Sequence, residues 1–188
     1  MIILGLGHQK RVGKDFAGSY LAKKFKRRNR SLDIKIMKFA TPLKEIAHQL
    51  WGYGGLNSPD YYEDYKPEKK EETLPKFKRT PRDLYKALGR HVRMIEEDTW
   101  LECLFHNANC DLCIITDLRF PNEFEAIRKR DGLCIKVDAP QLAGPPDDAD
   151  LALAHKKDDE WDKVLYNHGT KEEFYIELDK FLEEVGKQ

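Results

Sequence analysis

Hydrophobic positions along this chain follow two alternating patterns. Short apolar runs lie at 2–6, 33–40, 112–116, 133–137 and 164–166. Most stretches between them carry apolar residues three and four positions apart. The first pattern is typical of buried strands and the second of helices that bury one face. We therefore predict an α/β fold, a three-layer sandwich in which a five-stranded parallel sheet has helices on both faces.

Capping residues mark the starts of several predicted helices. Three threonines precede helical patterns and are placed to act as N-caps: Thr41, Thr80 and Thr170. Thr80 and Thr170 each have an acidic residue three positions later, the spacing of a capping box. We expect helices to begin directly after all three threonines.

One stretch, at about 53–79, interrupts the alternation of strands and helices. It has no sustained period, is rich in charge, and carries three tyrosines within five positions. We predict a single domain over 1–188 with a charged, lid-like insertion in this stretch.

Charge and apolar content exclude several classes of function. Lys plus Arg and Asp plus Glu both number 33, so zero net charge gives no sign of a nucleic-acid polymer or an anionic membrane as partner. No apolar run approaches the roughly 20 residues of a membrane span, and the first residues do not form a signal peptide. We expect a cytoplasmic protein with four buried, reduced cysteines, and interpret the C-x-x-C of Cys110 and Cys113 in the same way.

Residues 7–16, GHQKRVGKDF, lie between the first predicted strand and the first predicted helix. A phosphate-binding loop, G-x-x-x-x-G-K-[ST], occupies this place in nucleotide-binding proteins. Lys14 would bridge terminal phosphate oxygens there. His8 stands where the pattern has its first glycine, and Asp15 stands where it has a hydroxyl. Asp15 would hold magnesium directly or through water, or accept a hydrogen bond from the second substrate; the alternative is an ordinary strand-to-helix turn.

A second polar group follows the buried run 112–116. Asp117 ends that run and would orient magnesium or its waters, or anchor a substrate hydroxyl. Arg119 is placed to neutralise charge on a phosphoryl group in transfer. The alternatives are a local strand-end cap for Asp117 and a surface ion pair of Arg119 with Glu123 or Glu125.

The helix after Thr80 has an apolar side and a basic side, and the basic side carries Arg82, Lys86, Arg90 and Arg93. Such a stripe is either a solvated face or part of a substrate wall. Trp100, at the start of the next predicted helix, is either a stacking platform for a base or a core residue.

Together these segments resemble the bacteriophage deoxynucleoside monophosphate kinases, and the resemblance covers most of the chain. The matching segments are KRVGKD at 10–15, FATPLKEIA at 39–47, TPRDLYKALG at 80–89, the helix at Trp100, TDLRFPNEFEAI at 116–127 and VLYNHGTKEE at 164–173. The specificity lies in their order and spacing.

The resemblance implies a P-loop kinase that transfers the γ-phosphoryl group of ATP, with Mg²⁺, to a deoxynucleoside 5′-monophosphate in the host cytoplasm. It assigns ATP to Gln9, Lys10, Arg11, Val12, Gly13, Lys14, Asp15 and Phe16. It assigns the acceptor to Arg11, Lys44, Arg82, Trp100, Asp117, Arg119 and Glu123. Catalysis falls to Lys14, Asp15, Asp117 and Arg119, and the metal to Asp15 and Asp117. The implied partners are small-molecule nucleotides, and the oligomeric state stays open, a homodimer included.

Three positions depart from the family pattern: His8 in the loop, Asp138 where an arginine is expected before Ala139-Pro140, and HKKDDE from His155 in place of His-x-Ser-Glu. Two other readings stay open. Animal-type phosphomevalonate kinases also have a K-R-x-x-G-K-D loop, a P-L-K-E segment and an N-H-G before the last helix. The second alternative is a regulatory module that binds ATP without phosphoryl transfer.

Overall fold

The computed structural model describes residues 1–146 and 148–185. Five strands pair in parallel: β1 (Ile2–Gly7), β2 (Ile34–Met37), β3 (Leu112–Leu118), β4 (Leu133–Asp138) and β5 (Lys163–Tyr166). Their order across the sheet is β2-β3-β1-β4-β5, so β1 is central and β3 lies beside it. The carboxyl ends of β1 and β3, where the loop and the Asp117 segment begin, are therefore neighbours.

Helices cover both faces of the sheet because side chains alternate along the central strand. Leu4 and Leu6 belong to a core that also contains buried residues of α1 (Lys14–Arg28) and α7 (Lys171–Val185). Gly5 points to the other face, where a Cβ would lie 2.5 Å from Ile127 of α5 (Pro121–Arg128). The predicted α/β fold with a parallel five-stranded sheet is confirmed.

The chain divides into two compact units, residues 1–38 with 108–188, and residues 39–107. The first unit holds the sheet and a short helix, α6 (Asp148–Leu151). The second holds α2 (Ala40–Trp51), α3 (Pro81–Ile95) and α4 (Thr99–Asn107), with short helical segments at Gly52–Gly54, Tyr61–Tyr65 and Pro67–Glu71. This second unit is broader than the stretch 53–79, and a lid function of that stretch stays a prediction.

Two of the three predicted caps are present. The Asp83 N–H donates to Thr80 Oγ1 at 3.1 Å and the Thr80 N–H donates to the Asp83 carboxylate at 3.0 Å, which completes the capping box of α3. Thr170 and Glu173 form the same reciprocal pair of hydrogen bonds at the start of α7. The prediction for Thr41 is wrong: Phe39, buried in the second unit, already has helical angles, so α2 begins at Ala40.

The four cysteines are free thiols, as predicted, but only two of them are buried. All four cysteines are unpaired; Cys113 and Cys134 are buried, whereas Cys103 and Cys110 are half-buried. Burial raises the pKa of Cys113 and of Cys134 to about 12, so both thiols are protonated at neutral pH. Within the described ranges, no helix has the length and apolar content needed to cross a membrane.

Candidate functional site

The loop between β1 and α1, residues 8–13, has an unusual backbone. His8, Arg11 and Gly13 have positive φ angles of 92°, 66° and 100°. Alternation of left-handed residues with others is the backbone pattern in which successive N–H groups can point at one anion. His8 thus occupies, as a non-glycine residue, the left-handed conformation for which the usual pattern has glycine.

The strain at His8 leads to a stability prediction. Burial and the charge of Lys136 lower the pKa of His8, which weakens any ion pair of its Nδ1 with the Asp138 carboxylate 3.8 Å away. The imidazole therefore adds little that glycine would lose. We expect His8→Gly to change the free energy of unfolding by less than about 1 kcal/mol, and His8→Val to lower it by about 2 kcal/mol because a β-branched residue resists positive φ. Urea denaturation of both variants measures this difference, and equal losses would contradict it.

Asn167, which sequence reasoning did not single out as a site residue, holds the end of the loop. Its side-chain amide donates to the Val12 carbonyl at 3.0 Å. A Cβ at Gly13 would lie 2.9 Å from the same amide nitrogen, so that position needs glycine for space as well as for its backbone angle. The only sequence signal was the match of the N-H-G segment at 167–169.

Lys14 is buried at the start of α1, and its ammonium group folds back onto the loop. Nζ donates to the His8 carbonyl at 3.1 Å and to the Gln9 carbonyl. The lysine is thus already held at the mouth of the loop, although burial of a charged amine is unfavourable without further anions.

Electrostatic neighbours of Lys14 show which groups converge on the loop. Burial and then Arg119 lower the pKa of Lys14 to about 8. Three carboxylates act in the opposite direction: Asp150, Asp15 and Asp117. Arg119, Asp117 and Asp150, which are distant from Lys14 in the sequence, therefore lie near the loop lysine together with its chain neighbour Asp15.

The lowered pKa of Lys14 makes proton uptake on ligand binding a measurable event. At pH 8 about half of the Lys14 amines lack a proton, and a phosphate placed beside the amine favours the charged form. We expect ATP binding at pH 8 to take up about half a proton. Calorimetric titrations in two buffers of different ionisation enthalpy measure the uptake. Lys14→Arg should abolish it because guanidinium stays charged; uptake that persists in this variant would assign the proton to another group.

Asp15 is held by a side chain of β3 and by one that directly follows β2. The buried Thr116 hydroxyl donates to Oδ1 at 2.6 Å, and Lys38 Nζ lies 3.0 Å from the same oxygen. Both contacts are made within the protein, and a hydrogen bond from the second substrate to Asp15 stays a prediction. Neither Thr116 nor Lys38 was predicted as a site residue; their position at the ends of β3 and β2 is the signal that could have found them.

The Asp15 carboxylate is accessible enough to bind magnesium. The Asp15 side chain is 67% exposed, and both contacts described above use Oδ1. Mg²⁺ in phosphoryl-transfer sites is commonly held by one or two carboxylates together with substrate phosphates and water. Asp15 and Asp117, both electrostatic neighbours of Lys14, could supply these carboxylates.

Arg119 is fixed at both its backbone and its guanidinium. The buried Glu123 carboxylate accepts hydrogen bonds from the backbone N–H groups of Arg119 at 2.9 Å and Phe120 at 3.1 Å. The Arg119 guanidinium donates to Asp150 at 3.3 Å. Glu123 therefore holds the backbone that carries Arg119. A contact between Glu123 and the acceptor stays a prediction.

Other predicted loop residues differ in what their side chains can offer. Val12 lies in the core, and Phe16 stacks against Phe174 of α7 with ring centroids 5.9 Å apart. Their side chains pack within the protein, and a ligand contact by either residue stays a prediction. Arg11 is exposed, and a Cβ on Gly144 would lie 3.6 Å from its guanidinium.

In the second unit, Lys44 forms part of a local ion-pair cluster. The Glu63 carboxylate lies 2.8 Å from Lys44 Nζ and 2.7 Å from Lys70 Nζ. Burial alone would raise the pKa of Glu63, but the two ammonium groups outweigh it and lower the pKa to about 2.

This cluster predicts a pH-dependent contribution to stability. A carboxyl with a lowered pKa in the folded state stabilises the fold above its unfolded pKa, and the contribution is lost as pH falls toward about 2. We expect Glu63→Gln to lower the free energy of unfolding by about 2 kcal/mol at pH 7. Urea denaturation at pH 7 and pH 3 should show a smaller difference from the parent at pH 3; a constant difference would contradict the ionic origin.

Arg82 and Trp100, also in the second unit, occupy different environments. Arg82 Nε lies 2.5 Å from Glu71. Trp100 is 3% exposed, belongs to the core of the second unit, and directs its indole N–H at the Gly89 carbonyl, 3.4 Å away. The core interpretation therefore holds for Trp100.

Comparisons with known proteins add one sequence relative. A protein of Acanthamoeba polyphaga mimivirus named "Putative deoxynucleotide monophosphate kinase" is 27% identical over 197 residues, covering 95% of this chain and 94% of the relative. No protein-family model matches the chain. The bacteriophage origin suggested by the resemblance stays a prediction.

Solved structures similar to this chain include two shikimate kinases. The enzyme from Aquifex aeolicus is 16% identical and that from Bacteroides thetaiotaomicron 12% identical, each with a TM-score of 0.44. Both matches cover 98% of this chain and 98% of the solved one.

Proposed function

We propose that this chain transfers the γ-phosphoryl group of ATP to a deoxynucleoside 5′-monophosphate. The observation that carries the proposal is the convergence of Arg119, Asp15 and Asp117 on Lys14, at the carboxyl ends of two adjacent strands. Open parallel sheets bind ligands at this edge. This chain matches the mimivirus relative along most of both sequences, and the name of that relative agrees with this acceptor class.

The position of each charged group in the site suggests its role in the transfer. Lys14 and the N–H groups of the loop would bind the β- and γ-phosphates of the donor. Arg119 would contact the phosphoryl group in transfer, where its planar guanidinium can hold two oxygens at once. Asp15 and Asp117 would hold Mg²⁺, which when bound neutralises charge on the phosphates. Lys38 would keep Asp15 oriented through the ion pair at 3.0 Å.

The acceptor cations are proposed in the second unit and on the loop. Arg82 and Lys44 are the proposed acceptor cations of the second unit, and each pairs there with a glutamate that an incoming phosphate could replace. Arg11, exposed on the loop, is a further candidate for a phosphate contact.

A panel of acceptors tests the proposal. The purified chain is mixed with ATP and Mg²⁺ and with dTMP, dGMP, dCMP, dAMP or phosphomevalonate, and ADP release is followed by a coupled assay. We expect release with at least one deoxynucleoside monophosphate, and none when EDTA removes the metal. Release with phosphomevalonate alone would favour the other kinase class, and ATP binding without release would favour the regulatory module.

A further inference from the structure

Asp150 is a buried acid in a place where a kinase would bind phosphate. Its side chain is 0% exposed. The carboxylate accepts a hydrogen bond from the Lys10 backbone N–H at 2.9 Å, lies 3.5 Å from Lys10 Nζ, and accepts from the Arg119 guanidinium at 3.3 Å. A loop N–H, an ammonium and a guanidinium are the donors that proteins use to bind phosphate oxygens.

The helix that carries Asp150 contacts the loop through this carboxylate. α6 spans Asp148–Leu151, and Asp150 is its one buried residue, whereas Leu151 is 53% exposed. A buried carboxylate loses hydration, so its attachment depends on its partners and weakens once another anion competes for them. An apolar anchor would not be sensitive to such competition.

Neutralising these cations matters most when no ligand is bound. Arg119 is the main charge that lowers the pKa of Lys14, while Asp150 counteracts it. Without an anion, Lys10, Lys14 and Arg119 would repel one another in a partly buried site. A nucleotide phosphate carries more negative charge than one carboxylate and can take over the same donors.

We propose that Asp150 is an internal anion that occupies the phosphate-binding loop in the absence of ligand and is displaced when a nucleotide phosphate binds Lys10 and Arg119. The inference rests on the proposed function, because it concerns the same cations. Displacement releases α6 from the loop. The affinity for nucleotide is then reduced by the fraction of molecules in which Asp150 is in place.

Calorimetric binding of ATP and of inorganic tripolyphosphate to three proteins tests the proposal. Asp150→Asn keeps the size of the side chain but removes its charge, so we expect both ligands to bind about three- to tenfold more tightly than to the parent. Asp159→Asn makes the same charge change at an exposed residue outside the site and should bind like the parent. Unchanged or weaker binding by Asp150→Asn would show that Asp150 only positions the loop, and would overturn the proposal.

Hydrogen exchange of the parent protein gives a second readout that needs no variant. On addition of ATP, amides of the loop 8–14 should exchange more slowly, while those of 148–151 should exchange faster because α6 is released. Slower exchange in both segments would mean that Asp150 stays in place, which overturns the displacement alone. A parent that binds neither ATP nor tripolyphosphate would overturn the proposed function together with it.

Discussion

Replacing Arg119 with alanine is expected to lower kcat by roughly 10³-fold, since an arginine that neutralises the phosphoryl group in transfer contributes about this much when its contact is complete. The guanidinium acts mainly in the transition state, so KM for ATP should change far less than kcat. Steady-state kinetics with the best acceptor of the panel measures both constants. Arg119→Lys should recover only a small part of the rate, because an ammonium cannot hold two phosphoryl oxygens in one plane.

A matched control separates this effect from a general loss of positive charge. Arg27, exposed near the end of α1, lies outside the site, and Arg27→Ala should keep the parental rate. The variant at 119 also frees Asp150 from one of its ion pairs, so its fold must be checked by thermal unfolding. A correctly folded Arg119→Ala enzyme with the parental kcat would remove Arg119 from the chemistry.

Replacing Lys14 with alanine is expected to lower kcat by roughly 10²- to 10³-fold and to weaken ATP binding, because a preorganised cation at the terminal phosphates would be lost. Stability should suffer little. The pKa of Lys14 is lowered to about 8 in the fold, so the protonated amine opposes folding below that pH, and its removal offsets the loss of its hydrogen bonds to the loop. Kinetics with calorimetry of ATP binding measures the two effects.

Lys23 supplies the control for this variant. It is exposed on the same helix, and Lys23→Ala should behave like the parent in both measurements. Loss of activity by Lys14→Ala with unaltered affinity for ATP would mean that the lysine acts only in the transition state. Parental values of both quantities would contradict its place in the site.

Local sequence patterns were sufficient to predict the elements but less so their ends. The capping boxes after Thr80 and Thr170 could be predicted because a cap depends on residues three positions apart. The prediction for Thr41 was wrong because α2 begins at Ala40, after Phe39, whose burial depends on tertiary contacts that no local pattern shows. Trp100 was ambiguous for the same reason, since burial of an indole depends on helices that are remote in sequence.

Some features of the candidate site could likewise be predicted from the sequence, and others required the tertiary structure. The sequence by itself determined the parallel α/β sheet, the glycine-lysine loop after its first strand, and the acid and arginine after the third predicted strand, because the carboxyl ends of parallel strands lie at one edge. Only the tertiary structure decided that Thr116 and Lys38 hold Asp15, that Asn167 supports the loop, and that Asp150 pairs with Lys10 and Arg119. These contacts join residues from 23 to 155 positions apart, and no local pattern encodes them.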